Sequence, residues 1–169
     1  MGFVWLGDME EPFIDDAKGF EDERGYFHPF VNDSAIEIAQ VNHLFSVQNI
    51  LRGMHFQAGQ AKYIYCPIGE IYYTIVDMRK ESPTYKKWQG FTLSGKNRKK
   101  LFVPEGYAHG FYVSSPTAHL IYAVSKKDNP KKESNFDAFD KEIGIKWPCE
   151  SPILSPSDKK AASFSRPLS

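Results

Sequence analysis

Five histidines punctuate the chain, at positions 28, 43, 55, 109 and 119. Two of them stand in strings whose spacing suggests chemistry. His55 lies in Leu51-Arg52-Gly53-Met54-His55-Phe56-Gln57, and His109 in Pro104-Glu105-Gly106-Tyr107-Ala108-His109-Gly110-Phe111. A neutral imidazole is a competent general base near physiological pH. A lysine beside it stabilises an oxyanion as the charge develops, and a tyrosine across from it delivers a proton. Those three parts remove a proton next to a carbonyl and replace it from the other face. That is epimerisation through an enolate, and it needs no cofactor. Of the other histidines, His119 sits in a strand-like run and reads as structural, and His28, near Arg24, is a weak candidate for contact with an anion.

The elements that must hold these groups are short strands. Lys62–Ile68 and Ile71–Met78 are rich in β-branched and aromatic residues and read as a hairpin turning near Gly69. Phe91–Leu93, Leu101–Val103, Gly110–Val113 and His119–Val124 continue the pattern. One short helix is predicted, over Ser34–Ala39. The polar stretch Ser125–Asn135 reads as a loop, and residues 159–169 as a loose tail after a single domain spanning 1–158. Many short strands punctuated by Gly and Pro predict an all-β sandwich or barrel.

Composition narrows the partners. The 169 residues carry 21 Lys plus Arg against 21 Asp plus Glu, so no broad positive field draws in nucleic acid. No run of 18 apolar residues exists to span a membrane. Cys66 and Cys149 form no C-x-x-C motif and no disulfide framework, and the first ten residues do not read as a signal peptide. A reducing, cytoplasmic location is the expectation.

The P-x-G-x-x-H spacing around His109 and the G-x-H core around His55 resemble the two motifs of the cupin class. That resemblance implies a small jelly-roll barrel with both histidines pointing into one cavity. Metal-binding cupins use H-x-H followed by an acidic ligand. Here Gln57 stands two positions after His55, and Lys62 falls where a carboxylate ligand would be wanted. A protonated ammonium cannot ligate a cation, and two histidines fall short of the usual ligand set. The cavity therefore reads as metal-free.

Ordered motifs across some four-fifths of the chain are similar to the dTDP-4-dehydrorhamnose 3,5-epimerase family. They run from Phe20-Glu21-Asp22-Glu23-Arg24-Gly25-Tyr26-Phe27 through Gln40-Val41-Asn42 and the His55 string. Lys62, Val76-Asp77-Met78-Arg79, the His109 string and Tyr122 follow. Ile143-Gly144-Ile145-Lys146-Trp147-Pro148 and Leu154-Ser155-Pro156-Ser157-Asp158 complete the set. The resemblance implies that His55 is the base acting beside the C4 ketone, with Asp158 orienting its ring. It implies that Lys62 stabilises the enolate and that Tyr122 is the opposed acid. Phe20, Arg24, Gln40, Asn42, Arg52, Gln57, His109 and Glu133 would hold a nucleotide-diphosphate sugar, most simply a dTDP-sugar. It also implies a homodimer in which an N-terminal segment crosses over, so that Phe20 and Arg24 serve the neighbouring site.

The chain departs from the family pattern at several positions. The second tyrosine expected six residues after Tyr122 is Asp128, a glutamate position falls near Pro29, a serine position is Leu44, and Ser157 replaces a basic residue. Asp128 is therefore a candidate for altered specificity, with inversion at one carbon only or a different nucleotide sugar as its consequence. Alternatives are a 3,4-ketoisomerase, a sugar-nucleotide-binding cupin without catalysis, and a metal-dependent cupin dioxygenase. Asp140, which precedes Ile143-Gly144-Ile145, competes with Asp158 as partner of the histidine; the family pattern points to Asp158, and Asp140 reads as structural.

Overall fold

The computed structural model describes residues 11–16, 19–31 and 36–164. Two five-stranded antiparallel sheets face each other as a cupin-type jelly roll. The first sheet runs in the order β1 (Phe13–Asp15), β9 (Lys100–Val103), β6 (Lys62–Ile68), β11 (Thr117–Val124) and β4 (Gln40–Val47). The second runs β12 (Glu133–Asn135), β5 (Leu51–Gln57), β10 (Tyr107–Val113), β7 (Glu70–Asp77) and β8 (Trp88–Ser94). A separate ribbon pairs β2 (Phe20–Asp22) with β3 (Gly25–Phe27).

Alternation along the strands sets the core, because successive side chains point to opposite faces of a sheet. Ile64 and Cys66 of β6 meet Ile71, Tyr73 and Ile75 of β7, together with Tyr107, Phe111 and Val113 of β10 and Ala118 and Leu120 of β11. The same parity carries Lys62 inward with Ile64 and Cys66, and Tyr122 inward with Leu120. The outer face of the second sheet is covered by the returning C-terminal chain. Phe136, Ala138, Ile143 and Ile145 pack there against Leu51, Met54, Val76 and Ala108.

Four expectations change. The runs around Gly69 are strands, but they are not a hairpin: β6 and β7 belong to different sheets. One residue is too short a connection for a hairpin turn. Gly69 instead bends the chain from one sheet to the other at φ +85°, where an added Cβ would lie 2.1 Å from the Thr117 carbonyl oxygen. The helix predicted over Ser34–Ala39 is absent from residues 36–39, which are irregular; residues 34 and 35 lie outside the described residues. Ile36 packs beside Tyr63 and Phe102, and the Ala39 N–H donates to the Val124 carbonyl at 2.9 Å, which draws the chain out toward β4. The polar stretch 125–135 ends in a strand, β12, paired with β5.

The expected tail is tethered as far as residue 164. Lys159 closes the short helix α1 (Pro156–Lys159), the Ala162 carbonyl accepts from the Asp137 N–H at 2.9 Å, and the Phe164 ring meets Phe136 edge-on at 5.2 Å. An aromatic side chain with an apolar seat does not stay in water. Residues 165–169 lie outside the described residues.

Candidate active site

Strand β5 carries two groups of opposite parity into one cavity. Arg52 and His55 are three residues apart, so regular alternation would send them to opposite faces. The register with β10 slips between them: His55 faces His109, and Arg52 faces Phe111. A β-bulge re-aims side chains in this way. Gly53 makes it possible, with φ +128° and with its backbone so close to β10 that a Cβ would lie 2.7 Å from the Gly110 Cα. Arg52, His55 and His109 all line a cavity of about 280 Å³ between the sheets, which Lys62, Tyr122, Asp128 and Glu133 also line.

His55 has a carboxylate at each ring nitrogen. Nε2 is 2.8 Å from Asp158 Oδ1, and Nδ1 is 3.0 Å from Glu133 Oε1. Asp158 is brought there by α1, whose Ser155 cap accepts from the Asp158 N–H at 3.1 Å. Its side chain is only 3% exposed, while Glu133 stands nearer solvent at 38%. Burial alone would raise the Asp158 carboxyl. The hydrogen bond and charge of His55, with the Gly53 N–H and Ser155, outweigh it and hold the carboxyl below its ordinary value. A buried carboxylate on Nε2 fixes the tautomer and leaves Nδ1 as the nitrogen facing the cavity. Asp140, the competing carboxylate, instead accepts from the Glu142, Ile143 and Phe164 N–H groups.

The opposite sheet supplies the other two groups. Lys62 is buried, and its Nζ lies 5.7 Å from the centre of the Tyr122 ring. Burial pulls the Lys62 ammonium down to about 8, against the pull of Asp128 and Glu133 in the other direction. Burial pushes the Tyr122 phenol up, helped by Asp128 and Glu133 and opposed by Arg52 and a hydrogen bond with Asn42. Tyr122 is thus held as the protonated phenol, the form that can give a proton. His109, stacked on Tyr73 at 6.1 Å and edge-on to His55 at 6.2 Å, lies well below the ordinary imidazole value through burial, then Lys62 and His55. It is a neutral ring, and its buried Nδ1 has no hydrogen-bond partner among the described residues.

The expected binding residues divide into three groups. Arg52, Gln57, His109 and Glu133 line the cavity. Gln57 also ties down the neighbouring loop, donating to the Lys127 carbonyl at 3.2 Å and accepting from the Asn129 N–H at 3.0 Å. Gln40 and Asn42 reach the site through Asp128, whose Oδ2 accepts from Asn42 Nδ2 at 3.0 Å and from Gln40 Nε2 at 3.4 Å. Phe20 and Arg24 lie on the β2–β3 ribbon, outside this cavity. Phe20 is 81% exposed, and the Arg24 guanidinium pairs with Asp22 at 2.6 Å. Leu44 lines the cavity, and the Pro29 carbonyl accepts from Lys100 Nζ at 2.9 Å. His28 meets Tyr65 edge-on, away from the cavity.

The sequence reading missed Gln60. It lines the cavity and is 4% exposed. It precedes β6, outside the strand, so alternation along β6 gave no signal for it in the sequence. Among the described residues, no group of three or more His, Cys, Asp or Glu side chains is arranged to hold a metal ion.

Comparison with known proteins identifies the family of the chain. The family model for dTDP-4-dehydrorhamnose 3,5-epimerase matches residues 8–166. The Salmonella typhimurium dTDP-4-dehydrorhamnose 3,5-epimerase is 39% identical over 172 residues, covering 95% of this chain and 94% of that protein. A dTDP-4-dehydrorhamnose 3-epimerase of Streptomyces niveus is 39% identical over 129 residues, covering 75% of this chain and 62% of its own. The solved dTDP-6-deoxy-D-glucose-3,5-epimerase of Legionella pneumophila, in complex with dTDP-4-keto-L-rhamnose, superposes with a TM-score of 0.87 at 33% identity, covering 92% of this chain and 88% of that one. With the fold, the inward histidines and the matches running through nearly the whole length, the chain belongs to the dTDP-4-dehydrorhamnose 3,5-epimerase family.

Proposed function

We propose that the protein epimerises a dTDP-linked 4-keto-6-deoxyhexose without a cofactor, as part of deoxysugar synthesis of the rhamnose type. The observation that carries this reading is one cavity with His55 on one sheet and Lys62 and Tyr122 on the other. His55, held by Asp158, takes the proton from a carbon next to the ketone. The C–H electron pair moves into the new carbon–carbon double bond, and the carbonyl pair moves onto oxygen, where the Lys62 ammonium stabilises the enolate. As the enolate collapses, Tyr122 gives its proton to the opposite face. The carbon is inverted, and the proton on His55 and the charge on Tyr122 are then exchanged back through solvent.

The Glu133 contact belongs to the same cycle. With Nε2–H given to Asp158, Nδ1 can donate to Glu133 only in the imidazolium form. The base form requires the substrate to displace Glu133. Arg52 suits the diphosphate, because a guanidinium donates two parallel hydrogen bonds to phosphate oxygens. Cys66 and Cys149 are both free thiols, which suits a reducing cytoplasm.

The active form in this reading is a homodimer. Val41, Phe45 and Val47 expose 57%, 51% and 47% of their surface along the outer face of β4, and Phe20 and Phe27 expose 81% and 68% on the ribbon. Apolar area of this kind marks an interaction face, and a second copy that covered it would give Phe20 and Arg24 of each subunit a role in the other's site.

The test is incubation with dTDP-4-keto-6-deoxyglucose in deuterated water, followed by NMR of the sugar. Deuterium at both C3 and C5 is the expected result for a double epimerase. A second reading, inversion at a single carbon, is favoured by Asp128 and predicts label at one position. Absence of label at either carbon would overturn both readings for this substrate.

A further inference from the structure

We propose that Gln60 is a positioning residue of this reaction: its carboxamide ties the Lys62 ammonium to Asp128, so that Asp128 acts on the ammonium and not on the sugar. The inference rests on the epimerase reading for its consequence in catalysis, and on geometry alone for the linkage itself.

The contacts run in one sense. Lys62 Nζ donates to Gln60 Oε1. Gln60 Nε2 donates to Asp128 Oδ1 at 3.0 Å and to the Lys126 carbonyl at 2.7 Å. An ammonium only donates and a carboxylate only accepts, so a carboxamide can join them in one orientation only, carbonyl toward the lysine. The reversed amide would set N–H against N–H. Gln60 is buried, so losing either partner strands a polar group away from water.

The other oxygen of Asp128 is also taken. Oδ2 accepts from Asn42 Nδ2 at 3.0 Å and Gln40 Nε2 at 3.4 Å, and Gln40 Nε2 also donates to Asn42 Oδ1 at 2.6 Å. Three carboxamides therefore engage both oxygens of the carboxylate that stands where the family carries a second tyrosine. Held in this way, Asp128 fixes the start of the 126–133 loop and the seat of the Lys62 ammonium together.

The linkage has an electrostatic consequence. The charged and titratable groups around Lys62 are Asp128 from the loop, Glu133 from β12, His55 and Arg52 from β5, His109 from β10, Tyr73 from β7 and Tyr122 from β11. Asp128 and Glu133 are the carboxylates among them that favour the charged lysine, and burial opposes them. The enolate needs the ammonium, so turnover falls as pH rises through the Lys62 titration. Removing the Asp128 charge, or the Gln60 acceptor, moves that fall to lower pH.

The experiment compares the wild type with Gln60→Met and Asp128→Asn. Solvent-deuterium incorporation into dTDP-4-keto-6-deoxyglucose is followed from about pH 6 to about pH 10, across the ordinary lysine range. Each variant is expected to show its alkaline limb displaced downward by about half a pH unit or more. Gln60→Met should also lose roughly tenfold in kcat with KM within about twofold, as displacement of a catalytic group does. A uniform loss across pH with the limb unmoved would mean that Gln60 only supports the fold. A raised KM in Asp128→Asn without a shifted limb would mean that Asp128 touches the sugar. Either result overturns the proposal.

A substrate-free measurement keeps the two readings apart. The Lys62 Nζ resonance in isotope-labelled protein should titrate at lower pH in both variants than in the wild type. An unmoved midpoint would sink the linkage even if the enzyme turned out to act on another sugar. A wild type that incorporates no deuterium would overturn the epimerase reading while leaving this titration as the test of the linkage. If Gln60→Met does not fold, Gln60→Asn, one methylene shorter, takes its place in both measurements, because removing the Asp128 charge shifts Lys62 through space whether or not Gln60 joins them.

Discussion

The two nitrogens of His55 are not equivalent, and that difference decides what an isosteric change at Asp158 does. A buried carboxylate can only accept, so Nε2 must carry the proton, and once Glu133 is displaced Nδ1 offers its lone pair to the cavity. Asparagine at 158 can present an amide N–H to Nε2 instead. The ring then places its proton on Nδ1 and loses its base toward the sugar. Asp158→Asn should therefore lower kcat by on the order of 10²–10⁴-fold while the fold persists, read by deuterium incorporation alongside circular dichroism. His55→Ala should lose a similar amount, and a protein whose incorporation is unchanged by it does not use His55 as a base. Lys62 leads to a prediction about stability. Its folded value of about 8 lies below the ordinary lysine value of 10.5, so the unfolded chain holds the proton more tightly. The cost of burying the charge is fully present below pH 8, on the order of 3 kcal/mol. It fades as pH rises from about 8 to about 10.5, because over that window the unfolded state binds more protons than the native one. Lys62→Met removes this cost but leaves Gln60 Oε1 without its donor, on the order of 1–3 kcal/mol. With the burial cost the larger, it should melt at a slightly higher temperature than the wild type at neutral pH while losing most of its turnover. A lower melting temperature would show that the ammonium contributes to stability through its contacts by more than its burial costs.

Strand β5 shows how a small departure from regularity sets the site. If the bulge at Gly53 is what turns Arg52 and His55 to one side, an alanine there should undo it. Its Cβ would meet the Gly110 backbone, and φ +128° is unfavourable for any L side chain. The backbone conformation alone costs roughly 1–3 kcal/mol, so Gly53→Ala should unfold at lower denaturant and lose activity beyond what the stability change explains. Retained turnover with ordinary stability would mean that the register slip is not needed. This element also marks the limit of what could be read from the sequence. β-branched and aromatic composition located β6, β7, β10 and β11, while Lys62 and Tyr122 were placed in the site by the family resemblance and not by their strand parity. Composition could not identify the bulge, since a slipped register looks like ordinary alternation until the partner strand is known. Nor could it identify the corner at Gly69, where two good strands with one residue between them part to different sheets. The Asp158–His55 contact spans 103 positions and depends on how the C-terminal chain packs over β5. Family resemblance pointed to that contact; spacing along the chain did not. Gln60 was overlooked because a glutamine before a strand looks like a loop residue, and only its partners reveal that both ends of its carboxamide are engaged.

For the molecule as a whole, the two sheets are treated differently on their outer faces. The second is covered by residues 136–164, whereas Phe45, Val41 and Val47 on the first stand open beside the stacked pair His43 and His119, whose ring nitrogens are 2.9 Å apart. A second copy seated there would bury this stripe. Phe45→Glu should place a charge at its centre and shift the protein to monomer in light scattering, since an unpaired buried charge is expensive. A crossed-over ribbon makes a sharper demand, because each site would then draw His55 from one chain and Arg24 from the other. Arg24→Ala and His55→Ala proteins, each weak alone, should complement one another when their subunits are mixed and allowed to exchange. Random pairing makes half the dimers mixed, and each mixed dimer has one site with both residues intact. Activity should return to about a quarter of the wild-type level in a two-fold symmetric assembly. Recovery would require that Arg24 acts across the interface. If mixed dimers form but activity stays at the sum of the two variants, Arg24 does not complete the neighbouring site, and the exposed ribbon needs another explanation.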